Sequence, residues 1–440
     1  MKNARETALA VLYKIEYEDA YSNLALKEGI PEAMSKADKA FVTGLVYGTV
    51  ARKLTLDGVI ARYSSVKLKK LSKYVRLILW LGLYQMMYMD RVPDSAAVNE
   101  SVKLAKKYAA RSAGFVNGIL RSAAREGTEP LWSGDPVKDL SVRYSFPEWI
   151  SRRWLERWGH RETERLMDAL NQPPAMTIRV NRLKTNVREL TRILEAEGAT
   201  VRPDPLYSKS LRVSGADLTG KAFLNGLYTA QDTAASMAAA VLDPKPGEAV
   251  IDLCAAPGGK TTHIAELMED SGSIRAFDIY EHKLRLIEEN AKRLGIKSIR
   301  AEIGDGTVYD PRLEKTADKV LADVPCSGLG IIRRKPEIKY RRSEEDSLLA
   351  VQRRILENAA RYVKVGGELI YSTCTIEPEE NTDVIQAFLE NHREFVTADI
   401  SGYFPETMRK KTMQEGYVTL YPHIDGTDGF FICKLKKNYD

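Results

Sequence analysis

Two cysteines stand where a thiol could act. Cys326 lies in Asp323-Val-Pro-Cys-Ser327 and Cys374 in Ser372-Thr-Cys-Thr375, each motif following an apolar, strand-like run. A lone cysteine is most often an inert, buried small hydrophobe, and the thiols of Cys254 and Cys433 are read that way. Cys326 and Cys374 carry more, because the two motifs share a setting and Asp323 supplies an acid. Carbon 5 of a pyrimidine becomes nucleophilic when a thiolate adds to C6. A carboxyl group bonded to N3 and the exocyclic amine would stabilise the charge that develops. A second thiol could assist loss of the C5 proton and elimination. Chemistry alone leaves open which cysteine attacks.

A second cluster reads as a cofactor turn. Asp252-Leu-Cys-Ala-Ala-Pro-Gly-Gly-Lys-Thr-Thr262 joins a strand to a helix. Glycines let a ligand approach the backbone there, and the helix N-terminus offers free N–H groups. The turn lacks G-x-G-x-x-G, and a triphosphate loop would need glycine where Cys254 stands. S-adenosylmethionine fits better. The candidate cofactor residues are Cys254, Ala255, Ala256, Pro257, Gly258, Gly259 and Lys260, with Asp278, Asp305 and Asp323. Asp278, 26 residues past Asp252, is placed to accept from ribose hydroxyls, and Asp305 from an adenine amine. For Asp278 and Asp305 the plain alternative is a helix N-cap.

An open parallel sheet would bring these residues together. From about residue 235, strand-like runs alternate with helices, which predicts α/β architecture with helices on both faces. The strands are Ala249 to Leu253, Ile274 to Phe277, Arg300 to Ile303, Val320 to Ala322 and Leu369 to Tyr371. Helices from 284 to 294 and from 347 to 363 lie between them. Upstream, Ala4, Ala8, Val11, Leu12 and Ile15 share one helical face. Leu77 to Met89, about 13 residues and apolar nearly all round, suits a central core helix and is too short to span a bilayer. Turn residues from Glu126 to Pro136 mark a boundary. The chain thus divides into an all-helical domain (1–130), a linker plus small α+β module (131–225) and an α/β domain (226–440).

Charge supports a division of labour. Residues 1–130 hold 21 Lys and Arg against 13 Asp and Glu, whereas the whole 440-residue chain is only +6. A basic excess so placed is expected to meet a polyanion. Four cysteines without a C-x-x-C pair give no disulfide framework and no structural zinc or other metal site. With no apolar leader at the N-terminus, the expectation is a cytoplasmic protein with reduced thiols.

The motifs at 252–262, 323–327 and 372–375 resemble those of RNA (cytosine-5) methyltransferases of the Nol1/Nop2/Sun type. Gln231-Asp232, the stretch 328–340, Glu379-Glu-Asn381 and Asp425-Gly-Thr-Asp-Gly-Phe-Phe431 add to the likeness. Asp38 to Arg52, Val98-Asn-Glu100 and Gly114 to Arg121 are similar to the NusB-like RNA-binding domain fused to one member of that family. The resemblance implies a Rossmann-like class I methyltransferase domain, preceded by the all-α NusB-like domain and the α+β module. It implies S-adenosylmethionine as cofactor and a cytosine of 16S ribosomal RNA, free or in an early assembly intermediate, as substrate. No membrane, metal or obligate protein partner is implied. Cys374 would be the nucleophile, Cys326 the release residue, Asp323 a contact to the base, and Lys260 a neighbour of the site. One departure is Lys335, where the family more often has histidine. Rival readings are a tRNA or large-subunit rRNA substrate, an RNA-binding assembly factor with an inactive methyltransferase fold, and a DNA methyltransferase. The last expects its nucleophile in the proline-cysteine motif.

Overall fold

Helical periodicity in the first third becomes a set of packed helices in the computed structural model, which describes residues 3–344 and 347–439. Met1 and Lys2, at the head of the N-terminal stretch read above, lie outside that range, as does Asp440 at the end of the third predicted domain. The helix Lys73–Tyr88 buries Val75 and every residue from Leu77 to Leu83, as an all-round apolar run must. Ala8, Leu12, Leu45, Val46, Leu56, Ile60, Leu104 and Leu120 complete one core with it. Helices Pro136–Tyr144 and Glu148–Asn171 belong to the same compact unit, the second broken at Gly159, whose φ is 73°.

That unit also takes in a stretch from far along the chain, beginning at Ile332. The Glu337 carboxylate accepts from the Ser22 backbone N–H at 3.0 Å and from its hydroxyl at 2.8 Å. Lys339 is fully buried, donates to the Ala51 carbonyl (2.9 Å) and the Asn171 side chain (3.1 Å), and lies 3.9 Å from the Phe146 ring centroid. Burial drives its amine well below lysine's usual pKa. Arg341 donates to the Ala20 carbonyl at 2.6 Å. Compactness therefore cuts the chain differently from the contiguous 1–130, 131–225 and 226–440 division. Turn residues mark where a chain bends, whereas buried hydrogen bonds decide where a segment settles.

The second unit begins at Pro173 and holds two sheets. The smaller is antiparallel, in the order β2–β3–β1–β4, from β1 (Met176–Val180), β2 (Thr200–Pro203), β3 (Ser210–Ser214) and β4 (Tyr228–Ala230). Its last strand lies past residue 225, so the module extends beyond the predicted boundary.

The larger sheet contains β5 (Ala249–Asp252), β6 (Ser273–Asp278), β7 (Ile299–Ile303), β8 (Ala317–Asp323), β9 (Val363–Thr373), β10 (Phe395–Thr397), β11 (Tyr417–Leu420) and β12 (Phe430–Lys437). Its order is β10–β12–β9–β8–β5–β6–β7, with β11 against β12. The pairs joining β5 through β9 are parallel, and those made by β12 are antiparallel. This is the doubly wound, Rossmann-like sheet the sequence predicts. Strand alternation sorts its side chains onto two cores. Val250, Leu321, Ile370 and Ile432 meet the helices Thr233–Leu242 and Gly259–Leu267 on one face. Ile251, Val320, Leu369 and Phe431 meet Leu349–Tyr362 and Thr382–Asn391 on the other. Among the described residues no helix is long and apolar enough to cross a membrane, and no cluster of three or more His, Cys, Asp or Glu could hold a metal ion.

Candidate active site

Strand order reverses between β5 and β8, and ligands of open α/β sheets bind where it does, outside the carboxyl ends. Asp252 ends β5, Asp278 ends β6 and Asp323 ends β8, while Asp305 follows β7. Asp323 pairs in register with Ser372, so the residues just beyond each leave the sheet side by side. The consequence is direct. Cys326 and Cys374, 48 residues apart, place their sulfurs 3.2 Å from each other as free thiols. A disulfide would need about 2.05 Å, so the contact is a thiol hydrogen bond. That bond, and then burial, holds the Cys326 pKa well above the usual thiol value.

The Asp323 carboxylate accepts from Lys260 Nζ at 2.7 Å and from the Ser372 hydroxyl at 2.7 Å. Burial pulls the Lys260 amine down, but the charge and hydrogen bond of Asp323, with a further contribution from Cys374, outweigh it and raise its pKa. The site therefore contains a fixed cation beside the two thiols.

The turn after β5 is shaped for close approach. Gly258 has φ +96°, and a Cβ there would lie 3.1 Å from the Ile287 Cα. Only glycine satisfies both conditions easily. The Ala255 N–H donates to Phe277 O (2.8 Å) and the Gly258 N–H to Ala255 O (2.7 Å), which fixes the path through Cys254, Ala256 and Pro257 into the helix. Asp252 is buried, accepts from the Thr261 hydroxyl at 2.7 Å through one oxygen and has no partner for the other. Burial raises its pKa to about 7, against the Thr261 hydrogen bond. An orphaned buried acceptor beside a tight glycine turn fits a ligand that brings hydrogen-bond donors or positive charge.

Asp278 is buried and accepts from the Tyr280 N–H at 3.1 Å. Asp305 is exposed and accepts from the Thr307 N–H and hydroxyl. These bonds turn the chain just past the carboxyl ends of β6 and β7, and neither aspartate caps a helix. Cys433 is buried in the core, and burial pushes its thiol up. Burial does the same for Cys254.

The positioning roles of several residues were not read from the sequence, although the stretches that hold them were recognised. Arg179 of β1 donates to Glu266 (2.8 and 3.1 Å), to Gly259 O (2.8 Å) and to Thr262 (3.1 Å), and also bonds Gln231. It thereby braces the helix that starts in the cofactor turn. Its signal was a charged residue inside an otherwise half-apolar strand. Gly330 packs on Gly429, where a Cβ would come within 2.1 Å of the Gly429 carbonyl oxygen, and its N–H donates to Cys374 O at 3.0 Å. That contact explains why two separated glycine motifs both matter.

Comparison with known proteins adds independent findings. The model of the family 16S rRNA methyltransferase RsmB/F matches residues 239–436. The NusB family matches residues 2–125, and the RsmF/B-like ferredoxin-like domain matches 146–217. A relative from Bacillus subtilis (strain 168), "Probable ribosomal RNA small subunit methyltransferase B", is 40% identical over 99% of both chains. The crystal structure of PH0851 superposes with TM-score 0.80 at 30% identity over 98% of each chain. NSun6 from Pyrococcus horikoshii, solved with SFG, gives TM-score 0.60 at 26% identity, covering 68% of this chain and 100% of that one.

Proposed function

The chain belongs to the 16S rRNA methyltransferase RsmB/F family, and on that premise we propose that it methylates carbon 5 of a cytosine in 16S ribosomal RNA through a covalent cysteine adduct. The observation that carries the reading is the 3.2 Å approach of Cys326 and Cys374 beside the Lys260–Asp323 pair. The residues after β5, with Asp252, Asp278 and Asp305, would hold S-adenosylmethionine, and the relative solved with SFG, an analogue of it, supports that choice. When bound, the cofactor supplies an electrophilic methyl group.

The chain's own residues do the rest. Cys374 is the attacking thiol that the family resemblance implies, and it ionises by giving its proton to solvent. Its sulfur forms a bond to C6, and the ring electrons move toward C5. Asp323, aimed by Lys260 and Ser372, contacts the base where charge develops. Once C5 carries its new substituent, its proton leaves to solvent with the help of Cys326, the release residue that the resemblance implies, and the Cys374–C6 bond breaks to return the thiolate. A base in structured RNA must be unpaired or flipped out to reach Cys374. The NusB-like helices and the α+β module, the domains proposed for residues 1–130 and 131–225, would hold the RNA.

Bisulfite mapping of 16S rRNA and total tRNA, incubated with S-adenosylmethionine and either the enzyme or Cys374→Ala, tests this. One new protected cytosine in 16S rRNA, absent with the variant, is the expected result. Methylation by Cys374→Ala would overturn the mechanism, and protection confined to tRNA would overturn the substrate. Cys326→Ala should leave a protein–RNA adduct that migrates slowly on a denaturing gel.

A further inference from the structure

The Glu379–Asn381 motif has no role in the chemistry above, yet it lies just past the end of β9, beside both thiol turns. Glu380 is 9% exposed. One of its carboxylate oxygens accepts from the Ser327 N–H at 2.8 Å and from the Gln352 amide at 2.7 Å. The same Gln352 amide donates to the Pro325 carbonyl at 3.0 Å. Both neighbours of Cys326 are therefore tied to one carboxylate–amide pair. The Glu380 backbone is itself held, because Tyr371 OH donates to its carbonyl at 2.7 Å.

Asn381 does the corresponding work one residue on. Its side-chain oxygen accepts from the Thr373 hydroxyl at 2.6 Å, and its amide donates to the Thr375 carbonyl at 3.1 Å. Thr373 and Thr375 are the neighbours of Cys374. The two turns are also joined directly, by a 2.7 Å contact between the Ser327 and Thr375 hydroxyls. Two consecutive side chains thus grip the two cysteine turns, one apiece. Because they are adjacent in sequence, their spacing is fixed by a single peptide unit.

We propose that Glu380 and Asn381 are positioning residues that set the separation of the Cys326 and Cys374 sulfurs, Glu380 governing the release thiol and Asn381 the attacking one. The assignment of those two tasks rests on the proposed function; the separation itself does not. Misplacement by about 1 Å can slow a step by about 10²-fold, so the pair has a direct kinetic consequence.

The separation can be read without RNA. Diamide takes two hydrogen atoms from neighbouring thiols, forming a disulfide and reducing itself to the hydrazine. In the full chain, with Cys254 and Cys433 replaced by serine and alanine, the Cys326–Cys374 disulfide should form quickly and be seen by mass spectrometry. Glu380→Ala and Asn381→Ala should each slow it by at least about tenfold while the thermal unfolding midpoint stays near that of the parent. Glu380→Gln, which keeps an acceptor oxygen, should restore the rate. If the alanine variants fold poorly, Gln352→Leu, which removes the amide that joins Glu380 to the Pro325 carbonyl, should slow cross-linking in the same way. Unchanged cross-linking in folded Glu380→Ala and Asn381→Ala, or in Gln352→Leu, would overturn the proposal. With 16S rRNA and S-adenosylmethionine, Glu380→Ala should accumulate the adduct and Asn381→Ala should fail to form it. Reversal of that pattern would overturn the division of tasks. Slow cross-linking in the variants, together with methylation by Cys374→Ala, would instead uphold the positioning role and sink only the adduct mechanism.

Discussion

The helical unit and the catalytic unit bury different things. The first packs Leu12, Leu45, Leu77, Trp80 and Leu120 into an apolar core, keeps pairs such as Lys53–Glu16 partly exposed at its margin, and has the buried charges Glu337 and Lys339 in the one stretch that joins it from late in the chain. The second sinks Arg179 and Glu266 to 0% and 1% exposure and leaves Asp252 with an orphaned oxygen, all around one turn. Apolar burial stabilises by about 25 cal/mol per Å², whereas buried ion pairs are often no better than hydrophobic replacements. One region is built to stay folded. The other gives up stability to hold a ligand turn in place.

The contrast is sharpest at Arg179. Arg179→Met leaves Glu266 buried and alone, and should cost about 3–5 kcal/mol in urea unfolding. Adding Glu266→Leu should recover most of that loss while methylation stays impaired, and recovery of both would remove the contrast. In the helical unit, Leu45→Ala should cost about 2–5 kcal/mol through the cavity it leaves. Cofactor affinity of the folded fraction, followed by calorimetry, should stay within twofold.

Lys260→Met should act the other way round. Turnover should fall about 10²–10³-fold as Asp323 loses its partner, with little change in unfolding midpoint. A large stability loss would mean that the pair is structural.

A further effect is in pH dependence. Asp252 has a folded pKa of about 7 against an ordinary 3.8, so the folded state holds a proton that the unfolded chain releases between those values. Its contribution to stability is therefore present at low pH and is lost as pH rises through 7. Asp252→Asn should flatten the fall in urea midpoint across pH 4–7 for the ligand-free protein. An unchanged slope would place the titration elsewhere.

What sequence reading caught and missed follows from how each feature is encoded. Asp252, Asp278, Asp323 and the glycine turn were legible because they sit at the ends of apolar runs, where chain direction alone sets their side of the sheet. The alternation that feeds both sheet cores was legible for the same reason. Register was not. Nothing local in Asp323-Val-Pro-Cys326 says that Asp323 pairs with Ser372, and the thiol contact depends on that pairing. The roles of Arg179, Gln352 and Glu380 were hidden, even where the motif around the residue was recognised, because their partners lie 87, 27 and 53 residues away. Lys339 was read within a motif of the α/β domain, and it stands among Lys335, Glu337, Arg341 and Arg342 in a strongly charged stretch. Its burial among helices is invisible to a local pattern.

That lysine also carries a schedule. The Ser22 backbone and the Asn171 side chain are translated 315 and 168 residues before the groups that bond them. At roughly 5–20 residues per second, a ribosome leaves Asn171 waiting on the order of 10–30 seconds for Lys339. Water must satisfy those groups meanwhile. The helical unit is thus first to emerge but stays incomplete until the stretch from Ile332 is made, and a nascent chain halted before Ile332 presents it with an open seam.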